Sequence, residues 1–413
     1  MMKHSLLLLC SFIASFLLLH PAPAEACTAA VVSGKATPDG RPLLWKHRDT
    51  DFRENNMRYF RGERYSFIAI VNSVEQHPDE VWIGTNSAGF AIMNTQTYNL
   101  VDVKPGEERG EANGRILRRA LEICATVDDF RHFLDTLAKP SGIEANIGVI
   151  DAQGGAALFE VDYTRYTLFD ANNPVDAPEG YILRTNYSFT GKKDTGGGYV
   201  RFMQADKLML PMAQAHAVTP ARIFGDLSRC FAHPLLGIDL KSGDYNRPKT
   251  NGWFIDQDFI PRRSTASSVV IQGVKPGEKP ELTTAWTILG YPPTGIAMPV
   301  WLKGAEQALP ALIGYDTRLH TAPLAHRSLQ LADKVFSYRQ GMGSERYFEW
   351  ERLYTPRHTG YMQLLEPAEN DVFYIANPIL DQWRKQGYIS EKEMEKLYDK
   401  LTDVIDRAYD RIN

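Results

Sequence analysis

Hydrophobic residues follow two periods along this chain. Residues 28–32 are short, small and β-branched, residues 42–45 are again strand-like, and Pro38-Asp39-Gly40 between them is a strong turn signal. A hairpin turning at Pro38 brings Arg48, Asp49, Thr50 and Asp51 back beside Cys27. Further strands are expected at 67–71, 81–85 and 90–94, the last two joined by the turn Asn86-Ser87-Ala88-Gly89. From 113 to 138 the period becomes helical: Ile116, Leu117, Ala120, Leu121 and Cys124 share one face, followed by Val127, Phe130, Phe133, Leu134 and Leu137. Thr126 with Asp129 three residues on is a capping box, so this stretch reads as two consecutive helices. Strands return at 146–150 and 156–161, and helical patterns at 199–216 and 220–231. The last ninety residues or so are helix-rich, with a second capping box at Ser390 and Glu393 ahead of Met394, Leu397, Leu401, Val404, Ile405, Ala408 and Ile412. Such a tail packs on its own domain or forms an oligomer. No internal repeat, low-complexity run or long linker interrupts the pattern.

The first apolar run is of another kind. Lys3 and His4 precede apolar residues 6–19, and a Pro/Ala passage leads to Ala24-Glu25-Ala26. This is the pattern of a secretory signal peptide spanning residues 1–26, too short and wrongly flanked for a membrane span. The mature chain is therefore expected to be periplasmic or secreted. Its length after cleavage allows a main domain over 27–305 and a helical extension over 306–413 packed on it.

Composition narrows the function. With 44% apolar residues, 23% charged residues and a net charge of -4, the chain has no basic surplus to hold nucleic acid or anionic lipid. Only Cys27, Cys124 and Cys230 follow the cleavage point, an odd number for an oxidising compartment, so at least one thiol stays free or pairs between chains. Cys124 and Cys230 sit in helix-like apolar patterns and read as buried, unpaired core residues, although a bond between them stays open.

Cleavage after Ala26 would make Cys27 the first residue, with a thiol and a free α-amine on one residue: a nucleophile with its base built in. A cysteine at this place also has a bland reading, as the lipidated anchor of a binding protein. Against the anchor, Ala24 stands where a lipidation site wants leucine. The hairpin favours chemistry, since an arginine beside a thiol stabilises the thiolate and a carboxylate can hold an α-ammonium group.

The stretch C-T-A-A-V-V-S-G-K-A-T-P-D-G-R-P-L-L-W-K-H-R-D-T-D resembles the N-terminal signature of the linear-amide carbon-nitrogen hydrolases in the N-terminal-nucleophile superfamily. These are relatives of choloylglycine (bile salt) hydrolase, penicillin V acylase, isopenicillin N acyltransferase and a group of cysteine dipeptidases. The resemblance puts the nucleophile at Cys27, the first arginine at Arg48 and the amine-holding aspartate at Asp51. It implies that Asn94, ending a strand after an N-x-x-G turn, offers its backbone N–H to an oxyanion. In L-R-T-N-Y-S it implies that Asn186 turns its side-chain amide toward the same oxyanion, a donor whose loss can cost about 3 kcal/mol of transition-state stabilisation. I-P-R-R-S-T-A-S-S-V-V-I-Q-G and T-T-A-W-T-I-L-G-Y-P-P resemble late strands of the family, the first carrying an active-site arginine, for which Arg263 is chosen over Arg262. The implied fold class is α+β, a four-layer αββα sandwich, covering residues 27–305 or so and leaving the tail outside. The implied activity is cleavage of a small-molecule linear amide, or transfer of its acyl group, with no metal or organic cofactor. Which amide is open.

Other chemistries have no motif. There is no H-E-x-x-H and no C-x-x-C, Thr85 breaks a G-x-S-x-G elbow, and the glycine-rich stretch 195–198 lacks the lysine and spacing of a phosphate-binding loop.

Overall fold

The computed structural model describes residues 27–74, 80–102, 112–242 and 252–412. The expected signal peptide lies outside the described residues. The chain opens with β1 (Thr28–Val32) and β2 (Leu43–Asp49), paired antiparallel with Thr28 opposite His47. The expected hairpin is present, and its second strand runs four residues past Trp45. The turn is tightened by a 3-10 segment, Gly34–Ala36, whose preceding Ser33 hydroxyl accepts from the Lys35 N–H.

A meander follows: β3 (Asn55–Phe60), β4 (Phe67–Asn72), β5 (Ile83–Asn86) and β6 (Ala91–Gln96). Next come α1 (Asn113–Ile123) and α2 (Val127–Thr136), separated where the capping box predicts, with Thr126 and Asp129 each bonding the other's backbone. β7 (Ala145–Ile150), β8 (Ala156–Val161) and β9 (Tyr166–Asp170) complete a seven-stranded antiparallel sheet in simple chain order. β10 (Tyr181–Arg184), α3 (Tyr199–Gln214), β11 (Thr265–Gln272), β12 (Thr284–Leu289) and β13 (Met298–Val300) lead to α4 (Pro323–Val335), α5 (Tyr361–Gln386) and α6 (Glu391–Asp410). The second sheet has six strands in the order β10-β1-β2-β11-β12-β13, all antiparallel.

Side-chain alternation assigns the faces. On β4, Phe67, Ala69 and Val71 join the core beneath α1 and α2, while Ile68 and Ile70 face the other sheet. β1 and β2 pack across β6 and β7. At Gly148 on β7 a methyl group would lie 2.3 Å from Met93 and 2.7 Å from Val31, so the sheets approach too closely there for any larger residue. The far face of the six-stranded sheet is covered by the other helices. Trp286 on β12 stacks on Phe373 of α5 at 4.4 Å, and Trp301 meets Trp383 edge-on at 5.2 Å. The layers are thus helix, sheet, sheet, helix, and the α+β sandwich class is what the structure has.

One expected helix is much shorter. The 220–231 pattern yields only Pro220–Arg222 and one wide turn, Ile223–Leu227. Ser228 then turns its hydroxyl to Ser268, and Arg229 forks onto Glu369 of α5 at 2.6 and 2.7 Å, which draws the chain out of the helix.

Candidate active site

β1 begins one residue after Cys27, and both backbone atoms of Cys27 are held. Its N–H donates to Asn186 Oδ1 at 3.0 Å, and its carbonyl accepts from Arg201 Nη1 at 2.7 Å. Arg201 also donates to Asn186 Oδ1 at 2.7 Å and to the Thr28 hydroxyl at 3.0 Å, closing a small ring of buried hydrogen bonds. Burial, then repulsion from Arg262, lowers the Arg201 pKa to about 10, which still leaves it charged at neutral pH.

A polar network seats Asn186. Asn146 Nδ2 donates to the Thr185 and Tyr187 carbonyls, and Asn146 Oδ1 accepts from the Ser188 hydroxyl at 2.6 Å. Arg184 Nε donates to Glu160 at 2.7 Å, and Glu160 accepts from the Phe189 and Thr190 amides, a buried pair that fixes the loop after β10. Asn186 then exchanges backbone hydrogen bonds with Gly197, both at 3.1 Å. This folds the glycine-rich stretch back on the site and starts α3 two residues before Arg201.

On the other side, the β1–β2 register extends to put Arg48 opposite Cys27. Arg48 is buried, donates to Asn55 Oδ1 at 3.0 Å and lies 4.5 Å from the Trp82 ring centre. Lys46, two residues earlier on the same face, is buried against Asn94, donating to its side-chain oxygen at 2.9 Å and to its carbonyl. The opposite face of β2 carries His47 and Asp49. Asp49 accepts from Arg262 Nη2 at 2.5 Å and from the Thr265 hydroxyl at 2.6 Å. Burial opposes the Arg262 charge, but the pairing with Asp49 more than offsets it and raises its pKa. His47 is fully buried; desolvation is the main cause that holds its pKa down at about 4, so the imidazole is neutral.

These groups stand at one end of the sandwich, beside a cavity of about 670 Å³. Asp49, Asp51, Asn186, Arg201, Arg262 and Arg263 all line it, with Cys27 buried behind Asn186 and Arg201.

The sequence-derived candidates distribute as follows. Cys27, Arg48 and Asn186 come together. Asn94 lies on β6 across from β2, two residues short of the end of the strand instead of at its end. Asn186 contributes its oxygen to the Cys27 nitrogen, while its Nδ2 donates to the Gln96 carbonyl at 2.8 Å; the expectation that this amide turns to an oxyanion differs from the bonds it makes. Asp51 does not hold the Cys27 nitrogen. β2 ends at Asp49, the Thr50 N–H goes to the Ser264 carbonyl, and the chain turns outward, leaving Asp51 exposed at the cavity rim. Of the two neighbouring arginines, Arg262 stands within electrostatic reach of Cys27, whereas Arg263 is half-buried farther along the lining, its N–H donating to Asp256.

Sequence reasoning did not find Arg201 or His47, gave Asp49 no role beyond its place beside Cys27, and passed over Arg262 in favour of Arg263. The nearest signal for Arg201 is its place three residues after a run of three glycines that allows a sharp reversal. Cys124 and Cys230 are buried and free, both with thiol pKa values raised chiefly by burial, Cys124 to about 12. Among the described residues no cluster of His, Cys, Asp and Glu could hold a metal, and no helix is long and apolar enough to cross a membrane.

Residues 36–200 match the family model described as acyl-coenzyme A:6-aminopenicillanic acid acyl-transferase, a stretch that starts past Cys27 and ends just short of Arg201. No curated protein matches the sequence. Among solved structures, a mutant of the conjugated bile acid hydrolase from Clostridium perfringens is similar at 11% identity, over 67% of this chain and 92% of that one, with a TM-score of 0.41. The penicillin V acylase from Agrobacterium tumefaciens is similar at 13% identity, over 67% and 86% of the two chains, with a TM-score of 0.37. The Caenorhabditis elegans ortholog of N-acylethanolamine-hydrolyzing acid amidase is similar at 14% identity, over 49% and 89%, with a TM-score of 0.33.

Proposed function

We propose that this protein is an exported cysteine amidase cut before Cys27, a reading supported by the match of residues 36–200 to the acyl-coenzyme A:6-aminopenicillanic acid acyl-transferase model. The observation that carries the reading is the grip on Cys27. Both of its backbone polar atoms are bonded, and three arginines, Arg48, Arg201 and Arg262, surround its position.

In the uncut chain the Cys27 nitrogen is a peptide N–H. Once residue 26 is removed, the same atom becomes an α-amine with an ordinary pKa of about 7.7, near working pH. The Cys27 thiol then passes its proton to that amine, and the sulfur attacks the carbonyl carbon of a linear amide. Arg48, Arg201 and Arg262 favour the thiolate by charge. Asn186 Oδ1 holds the amine beside the thiol. The backbone N–H of Asn94 is the donor to the tetrahedral oxyanion, while Asn186, its amide bonded to the Gln96 carbonyl, positions Cys27. The α-ammonium returns the proton to the departing nitrogen, the C–N bond breaks, and a thioester remains on Cys27. Water releases the acid and restores the thiol.

Acyl transfer is the second reading, and the family match favours it, since the matched model is that of an acyl-transferase. The same thioester then reacts with an amine in place of water. Mature protein assayed against a panel of linear amides, with and without a second amine, separates the two. Cys27→Ser is expected to lower amide cleavage by about a thousandfold or more with the melting temperature unchanged. A variant that retains wild-type turnover rules out the thioester route.

A further inference from the structure

The cavity beside Cys27, whose lining also carries Asp51, Asp258 and Glu345, contains a second pair of arginines that this chemistry does not use. Arg53, shortly after β2, and Arg263, just before β11, both line it. Arg53 Nη1 donates to Asp333 at 3.0 Å, but among the described residues nothing accepts from its buried Nε and Nη2, or from the buried Nε of Arg263. Other arginines of the same cavity are matched: Arg262 with Asp49 at 2.5 Å and Arg346 with Asp256 at 2.9 Å. Leaving a buried donor without an acceptor costs about 1–3 kcal/mol, and more for a charged group. The two guanidinium groups also repel. Burial first, and Arg53 second, lower the pKa of Arg263, with Asp333 and Glu345 pulling the other way.

An arrangement of this kind is completed by an anion from outside. The planar fork of a guanidinium fits a carboxylate better than any neutral group. The rest of the lining limits what else the molecule can carry. Tyr98 is the one aromatic residue among the described lining residues, and none is aliphatic, so a steroid or fatty acyl chain has no apolar wall to bury against. We infer that Arg53 and Arg263 form a carboxylate subsite, and that the amide processed at Cys27 is a small polar molecule bearing a carboxylate. The word "amide" rests on the proposed function; the carboxylate subsite does not.

The probes are N-acetylglycine, N-acetyl-β-alanine and N-acetyl-γ-aminobutyrate, each paired with its neutral carboxamide. They are titrated calorimetrically into the exported protein carrying Cys27→Ala, which cannot turn them over. At least one carboxylate is expected to bind about tenfold tighter than its carboxamide, and Arg53→Gln or Arg263→Gln to remove that preference. Asp333→Asn takes away a partner of Arg53 while leaving both guanidinium groups, and is expected to keep or increase the preference; a merely structural pair would lose it. Carboxamides that bind as well as the carboxylates at every length, or a preference that survives both arginine substitutions, overturns the subsite. Carboxylate-selective binding in a protein whose wild type cleaves none of these or other amides leaves the subsite standing and removes only the amidase reading.

Discussion

His47 shows what the interior does to a titratable side chain. It sits on β2 between Arg48 and Lys46, on the face opposite both, with its Nε2 3.3 Å from the Thr265 hydroxyl and 4.0 Å from Asp49. Asp49 favours a charged imidazole, yet desolvation outweighs it, and Arg201 and Arg262 add to the opposition. Its pKa falls from 6.5 to about 4 on folding, so between those values the unfolded chain binds the additional proton. Stability from this group is fully present above pH 6.5 and is lost as pH falls toward 4, on the order of 3 kcal/mol in all. Denaturant unfolding measured from pH 7.5 down to 4 should therefore show a smaller loss for His47→Gln than for wild type. Parallel losses would mean that His47 is not buried neutral. None of this was legible in the sequence. The motif around His47 points at Arg48 and Asp51, and the residues that set the local electrostatics, Arg201 and Arg262, are 154 and 215 positions away.

At the scale of elements, the join between β10 and α3 matters most. Gly198 has φ +84°, and a methyl group there would lie 2.4 Å from Arg201 Nη2 and 2.8 Å from the Thr185 hydroxyl. Gly197, its neighbour, has open space, its nearest contact being Asn186 at 3.8 Å. Gly198→Ala should cost about 1–2 kcal/mol from backbone strain alone and displace Arg201 from Cys27, lowering amide turnover about tenfold or more. Gly197→Ala should stay close to wild type in both melting temperature and turnover, and equal effects would contradict the loop's proposed role. The sequence makes the loop visible but not its purpose. Hydrophobic periodicity marks α3 as helical and treats Arg201 as one more polar position, because period alone cannot distinguish a solvated arginine from one buried to make three hydrogen bonds. Arg262 and Arg263 illustrate the same limit. Adjacent residues entering a strand point to opposite sides, and only the pairing of β11 with β2, with Thr265 opposite Asp49, decides which one faces Cys27.

Across the whole molecule, legibility follows contact range. The seven-stranded sheet is a local meander whose strands and two inserted helices follow from alternation, turns and a capping box. The six-stranded sheet is less local: beyond the β1–β2 hairpin, β1 pairs with β10 and β2 with β11 across long stretches of the chain, so no single window of sequence shows that layer. Resemblance alone led to it. The helices after residue 305 contribute Phe373 and Trp383 to the same core as Trp286 and Trp301, which makes them a covering layer of the sandwich. All of this converges on Cys27, just before β1, whose proposed chemistry depends on having no residue before it. The direct test is the intact mass of the exported protein before and after brief treatment with iodoacetamide, with the labelled residue mapped. The thioester mechanism predicts a chain that begins at Cys27 and gains one carbamidomethyl group there, ahead of Cys124 and Cys230, whose thiol pKa values burial raises. A chain that begins elsewhere, or one that carries a diacylglycerol-sized increment with Cys27 unlabelled, would contradict it.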